Sequence, residues 1–220
     1  MKSGRRFTIA AVFVVFSAGV SILAAPSLPE QMVSHWNAAG QPDGTMSKTV
    51  SLALIPGLSA VLLCVFALLP RIDPLGENIA EFRSYYDWFV VVFTGYMLLI
   101  HAGIVAFNLG YKFDFTALIL IGVAGLFYYS GVLLSNAEPN WFVGIRTPWT
   151  LSSDVVWRRT HDLGGRLFKL TAASTLVGLA FHEYALYFLL VPALLTAAIT
   201  MIYSFLLYRR LDEDAAKTAT

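Results

Sequence analysis

The stretch FTIAAVFVVFSAGVSILAA, Phe7 to Ala25, decides how the rest of the chain is read. It contains no charged side chain, and as a helix rising about 1.5 Å per residue it is ~28 Å long, close to the thickness of a bilayer's hydrocarbon core. Comparable apolar blocks follow at Val50 to Leu69, Trp88 to Leu109, Phe115 to Leu134, Leu167 to Phe181 and Tyr184 to Tyr208. The fifth is short, and it reaches spanning length only if the helix starts near Gly165 and Lys169 snorkels toward the headgroups. With 57% hydrophobic and 13% charged residues in a chain of 220, the pattern predicts an all-α polytopic membrane protein, a bundle of about six transmembrane helices. Lys2, Arg5 and Arg6 ahead of the first block are also found in secretory leaders, but the long apolar run and Pro26 after Ala24 and Ala25 favour an uncleaved first span.

The charges between the blocks set the orientation. Of the 15 Lys and Arg residues, only Lys48 and Lys112 fall on one side of a six-span chain. Cytoplasmic loops carry the excess of positive charge, so both termini and the loop around Gly144 are expected in the cytoplasm of a cell-membrane protein, with the loop around His35 outside. A net charge of +1 without a clustered basic surface argues against direct nucleic-acid binding. The single cysteine, Cys64, excludes an intramolecular disulfide and a Cys-rich zinc centre. The expected division is a two-span N-terminal domain, residues 1–70, bearing the outer loop, and a four-span region, residues 71–220, bearing the inner loop.

Two loops concentrate what is not apolar. The outer one, Pro26 to Lys48, is rich in prolines and turn formers and reads as an ordered surface loop. Its His35, Asn37 and Asp43 are expected to tie it into one shape, with Trp36 at headgroup level and Lys48 opening the second span. A metal held by His35, Asp43 and Glu30 matches no strong ligand pattern, so no metal or cofactor is expected. The inner loop contains GIRTPWTLSSDVVWRRTHDLGG, Gly144 to Gly165. Ser152 or Ser153 can cap a helix from Asp154 to Leu163, stopped by Gly164 and Gly165 and lying at the interface with Trp149 and Trp157 as anchors. Arg146 sits close enough in sequence to Trp149 for a cation-aromatic pair. No nucleophile stands at a recognisable spacing from His161, so no catalytic residue is expected. His101, mid-span in the third block, is either a satisfied core histidine, partnered by Asn108, Tyr128 or Tyr129, or the polar centre of a solute or proton pathway.

Both loops resemble signatures of the SdpI family of bacterial membrane proteins. LPEQMVSHWNAAGQPDGTMSK, Leu28 to Lys48, is similar to the domain often found ahead of the SdpI region, and the inner stretch is similar to the family's G-(Y/I)-R-T-P run followed by Trp, His and a glycine pair. The resemblance places His35, Trp36, Asn37, Gly40, Asp43, Gly44 and Lys48 in the outer motif and Arg146, Thr147, Pro148, Trp157 and His161 in the inner one; these, with Trp149 and Arg158 of the same loop, are the candidate ligand- or partner-binding positions. It implies no enzyme. The partners implied are the lipid bilayer, an extracellular membrane-active peptide toxin against which the protein protects, and a cytoplasmic repressor to which it signals.

Overall fold

The computed structural model describes residues 2–37 and 39–218. Eight helices follow one another: α1 Lys2–Ala24, α2 Lys48–Ile72, α3 Gly76–Glu81, α4 Arg83–Asn108, α5 Phe115–Leu134, α6 Pro148–Leu151, α7 Asp154–Gly178 and α8 Ala185–Thr218. Between α1 and α2 lies an antiparallel hairpin, β1 Gln31–Trp36 and β2 Pro42–Ser47. The chain is thus a polytopic helical bundle with one small sheet at an end. Helices α1, α2, α4, α5 and α8 are long and apolar enough to cross a membrane. The sixth long helix, α7, packs along α5 and α8. Its first half is too charged for α7 to meet the same compositional test, as Arg158, Arg159, Asp162 and Arg166 show.

Six long helices alternate in direction, so the connections gather at two ends. At the hairpin end, Val33 meets Asn108 of α4, and Gly40 lies against Thr116 at the start of α5. At the loop end, the α2–α3 turn holds the segment after α5: the Asp73 carboxylate accepts from the amides of Leu75 (2.7 Å) and Trp141 (3.0 Å), and Asn78 Nδ2 donates to the Pro139 carbonyl (2.7 Å). Each end has its own apolar core. Leu28, Met32, Leu52, Ile104 and Phe115 form one, and Ala10, Ile79, Phe82, Tyr86, Leu133 and Trp157 the other.

Three prolines inside helices tie this bundle together. Proline has no N–H, so the carbonyl four residues earlier loses its helical donor, an expensive loss where no water can replace it. Pro56 frees Leu52, and Ser21 Oγ of α1 donates to that carbonyl at 2.8 Å. Pro70 frees Phe66, which accepts from the Tyr86 hydroxyl of α4 at 2.7 Å. Pro192 frees Phe188, which accepts from Ser174 Oγ of α7 at 2.8 Å. Every intrahelical proline therefore creates an acceptor that a neighbouring helix fills, linking α1 to α2, α2 to α4 and α7 to α8.

Several expectations are corrected. The outer loop is a hairpin, because the Asn37 side chain accepts from the amides of Ala39 and Gln41 and so closes the turn between two strands. The second span does not stop at Leu69, ahead of Pro70: the Phe66 carbonyl that Pro70 orphans is satisfied by Tyr86, and α2 runs on to Ile72. Gly164 and Gly165 do not stop a short interfacial helix, because α7 continues through them to Gly178. They serve close packing instead: a Cβ on Gly165 would collide with Ser135 Oγ and stand 2.8 Å from the carbonyl oxygen of Gly131 on α5. Beyond the apolar block that ends at Tyr208, α8 continues through the polar tail to Thr218, and residues 219 and 220 lie outside the described range.

Candidate functional site

The two motifs sit at opposite ends of the bundle, and each is built around one histidine. At the loop end, Asn140 shapes the chain that leads into the motif: its Oδ1 accepts from the amides of Phe142 (2.9 Å) and Val143 (2.6 Å), while Nδ2 donates to the carbonyls of Glu138 and Val143. Gly144 follows with φ +128°, a conformation that side chains disfavour. It presses onto His161, where a Cβ would collide with Nε2 and lie 3.2 Å from the Trp157 ring.

His161 is 2% exposed, and both of its nitrogens are engaged. The Ile145 amide donates to Nε2 at 2.9 Å, so Nε2 carries a lone pair and the proton sits on Nδ1, which donates to the Trp157 carbonyl at 2.8 Å. Burial pushes its pKa down to about 4 despite the opposing pull of that carbonyl, so the ring is neutral. Trp157 stacks on it with centroids 4.0 Å apart, is fully buried, and donates from Nε1 to the Ala137 carbonyl at 2.7 Å. Trp157 is therefore a core residue and not the expected interfacial anchor; its ring has turned inward because the loop backbone offers it a buried acceptor.

Thr147, Pro148 and Thr150 form the next layer. Thr147 caps α6 in a reciprocal box: its hydroxyl accepts from the Thr150 amide at 3.1 Å, and the Thr150 hydroxyl accepts from the Thr147 amide at 2.8 Å. Pro148 occupies the first helical position, where a missing N–H costs nothing. The Thr147 hydroxyl also reaches Ser204 of α8 at 3.3 Å. Trp149 packs on Phe205 of α8, and the Arg146 guanidinium donates to the Trp141 carbonyl, so the expected Arg146–Trp149 pair gives way to a backbone contact. Arg158 and Pro148 are exposed. The structure thus joins Gly144, Thr147, Trp157 and His161 into one folded unit and leaves Arg158 on its surface.

At the hairpin end, His35 Nδ1 lies 2.5 Å from an Asp43 oxygen across the two strands, and a Cβ on Gly44 would stand 3.0 Å from the His35 Cβ. Gly40 makes the turn at φ +74°. Lys48 bridges to Glu30 at 2.7 Å and opens α2. Trp36 stacks on Phe115 at the start of α5 with centroids 3.7 Å apart and meets Phe107 edge-on, sealing the hairpin to α4 and α5.

His101 is fully buried between these ends, and its Nε2 lies 2.8 Å from Ser21 Oγ. Ser21 gives its one proton to Leu52, so it accepts from Nε2–H, and Nδ1 is left without a partner among the described residues. Neither Asn108 nor Tyr128 nor Tyr129 is the partner. Asn108 instead serves the hairpin. Sequence reasoning missed Asn140, Asp73, Thr150 and Ser21 as organisers; of these only the Pro-Asn pair at 139 and 140 carries a local turn signal.

Residues 136–204, which hold the loop-end motif, match the model of the SdpI/YfhL protein family. Residues 12–60, which hold the hairpin, match a domain of unknown function, DUF1648. Over 209 residues the chain is 23% identical to a protein of Bacillus subtilis (strain 168) named Immunity protein SdpI, covering 93% of this chain and 96% of that one. No solved structure matches.

Proposed function

The chain is an SdpI-family protein, and from that premise we infer that it is a non-enzymatic membrane immunity protein, protecting its cell against a secreted membrane-active peptide and signalling to a cytoplasmic repressor. The observation that carries this reading is the end-to-end similarity to an immunity protein, which spans both motifs and not one alone. In this reading residues 1–70 receive and residues 71–220 respond. The hairpin, with His35, Trp36, Asn37, Gly40, Asp43, Gly44 and Lys48, faces the outside and meets the peptide. The unit around Arg146, Thr147, Pro148, Trp149, Trp157, Arg158 and His161 faces the cytoplasm. Engagement outside biases the packing of the bundle and changes how that unit presents Arg158 to a soluble partner. The engagement of both His161 nitrogens by backbone supports a structural role for it over a general base.

Survival assays test the first half. A sensitive strain expressing the chain should outlive its parent when challenged with a panel of secreted membrane-active peptides, and equal killing across the panel would refute immunity. Crosslinking from Arg158 in intact cells tests the second, and capture of no cytoplasmic protein would remove the signalling claim. A second reading, a small-solute or proton-linked transporter or membrane enzyme centred on His101, is favoured by its unpartnered, fully buried Nδ1. It requires His101→Phe to abolish function in protein that still inserts.

A further inference from the structure

The two edges of the hairpin are not equivalent, and the difference follows from its register. Strand positions pair as Gln31 with Ser47, Met32 with Met46 and Val33 with Thr45. In an antiparallel ladder, alternate pairs exchange backbone hydrogen bonds while those between turn their N–H and C=O groups outward. The parity is fixed at two places. The Lys48 amide donates to the Glu30 carbonyl at 2.8 Å, which makes the pair one step beyond Gln31 and Ser47 a bonded one. Val33 turns away from β2: its amide donates to Asn108 Oδ1 at 2.7 Å, and its carbonyl accepts from Asn108 Nδ2 at 2.9 Å. Asn108 therefore presents to Val33 the acceptor and donor that a third strand would present, and at Val33 that edge is closed.

By the same parity, the amide and carbonyl of Thr45 and the amide of Ser47 point out from the far edge of β2. Among the described residues no bond outside the ladder reaches them. Beneath the same hairpin lies a cavity of about 360 Å³, lined by Trp36, Met46, Leu54, Ile55, Ile104 and Phe115. The indole N–H of Trp36 is buried there without an acceptor. An open edge above an apolar cavity demands a ligand with amide donors and acceptors repeating every second residue and apolar side chains between them.

We propose that the free edge of β2 is a docking site for an extended, apolar-alternating peptide segment, which adds as a third strand to the hairpin and lowers alternate side chains into the cavity below. The site deepens the immunity reading and rests on it for the peptide's source, because the hairpin is the part assigned there to the outside. Thr45 and Ser47 supply the backbone register, and the cavity selects aliphatic or aromatic side chains. Trp36 Nε1 offers one further donor at its wall.

The test uses the full chain in lipid nanodiscs and a nine-residue peptide of alternating leucine and threonine bearing a C-terminal fluorophore, with binding read as anisotropy against empty nanodiscs. Saturable binding to the intact chain is expected. Thr45→Pro deletes only the outward amide, since Thr45 gives none to β1, and should weaken binding at least tenfold; Thr45→Val, which keeps the backbone, should bind as the parent does. Ile55→Trp fills the cavity from α2, leaves both strands' sequence unchanged, and should also weaken binding, which covers the case of a proline variant that misfolds. Unchanged binding in both Thr45→Pro and Ile55→Trp, signal equal to that of empty discs, or disulfide-linked dimers of Thr45→Cys showing that a second copy occupies the edge would each overturn the proposal. No peptide binding by an intact chain that nevertheless protects cells would refute the site alone, whereas failure of a peptide-binding intact chain to protect cells would refute the immunity reading alone.

Discussion

Replacing Tyr86 by phenylalanine removes one oxygen atom and tests how the bundle is held. Tyr86 is 1% exposed, and its hydroxyl donates at 2.7 Å to the Phe66 carbonyl, which Pro70 deprives of its helical partner. A buried acceptor left unpaired costs about 1–3 kcal/mol, whereas interhelical hydrogen bonds within membranes average roughly 0.6 kcal/mol because the unfolded helices find other partners. Phe66 has no other donor in its own helix, so the expected loss is about 1 kcal/mol or slightly more. The assay is unfolding of the purified protein in mixed micelles of rising denaturing-detergent fraction, run as a double-mutant cycle with Pro70→Ala. Alanine restores an amide at position 70 that bonds the Phe66 carbonyl within α2. Tyr86→Phe should then cost no more than about 0.3 kcal/mol in that background, giving a coupling of about 1 kcal/mol. Equal costs in the two backgrounds would show that the hydroxyl does not stand in for the missing amide.

Gly144→Ala should destabilise by about 2–4 kcal/mol, combining an unfavourable φ with loss of the Ile145–His161 bond, while Gly19→Ala, whose Cβ meets nothing within 4 Å, should cost nothing; thermal unfolding in detergent compares them. The same method checks the pH dependence of His161. Its folded pKa of about 4 lies below the ordinary 6.5, so the unfolded chain takes up a proton first, and stability is flat above 6.5 and falls as pH drops toward 4. At pH 5 the loss is about 2 kcal/mol relative to pH 7.5, and it should shrink in His161→Gln. Gly165→Leu should separate α5 from α7 and lower the yield of folded protein on size-exclusion chromatography, because Ser135 and the Gly131 backbone leave no room for a side chain. His101→Phe should loosen the junction of α1, α2 and α4 and lower the unfolding midpoint while leaving toxin survival measurable, which separates a packing role from transport.

The helical bundle was legible because membrane-length apolar blocks signal themselves locally, and Phe115–Leu134 matches its helix at both ends. Glycine and proline were misread for one shared reason. Gly165 and Pro70 carry local stop signals, but their neighbours, Gly131 and Tyr86, come from other helices and turn the signals into packing and cross-linking features. The hairpin escaped notice because its strands are short and held in place by Asn108, far along the chain. At the loop end the residue types of the motif were apparent, and the pairing of Gly144 with His161 was not: a glycine required by a distant ring looks like any loop glycine.

Immunity is measured as survival of a peptide-sensitive strain carrying the intact chain, the vector alone, or an Asp43→Ala variant that removes the His35 partner and is verified as inserted at equal level. Asp43 is half-exposed and its loss should leave the bundle folded. The intact chain should rescue cells from at least one secreted membrane-active peptide, and the variant should rescue them less. Killing of the intact-chain strain at the rate of the vector control by every peptide would refute a role in immunity.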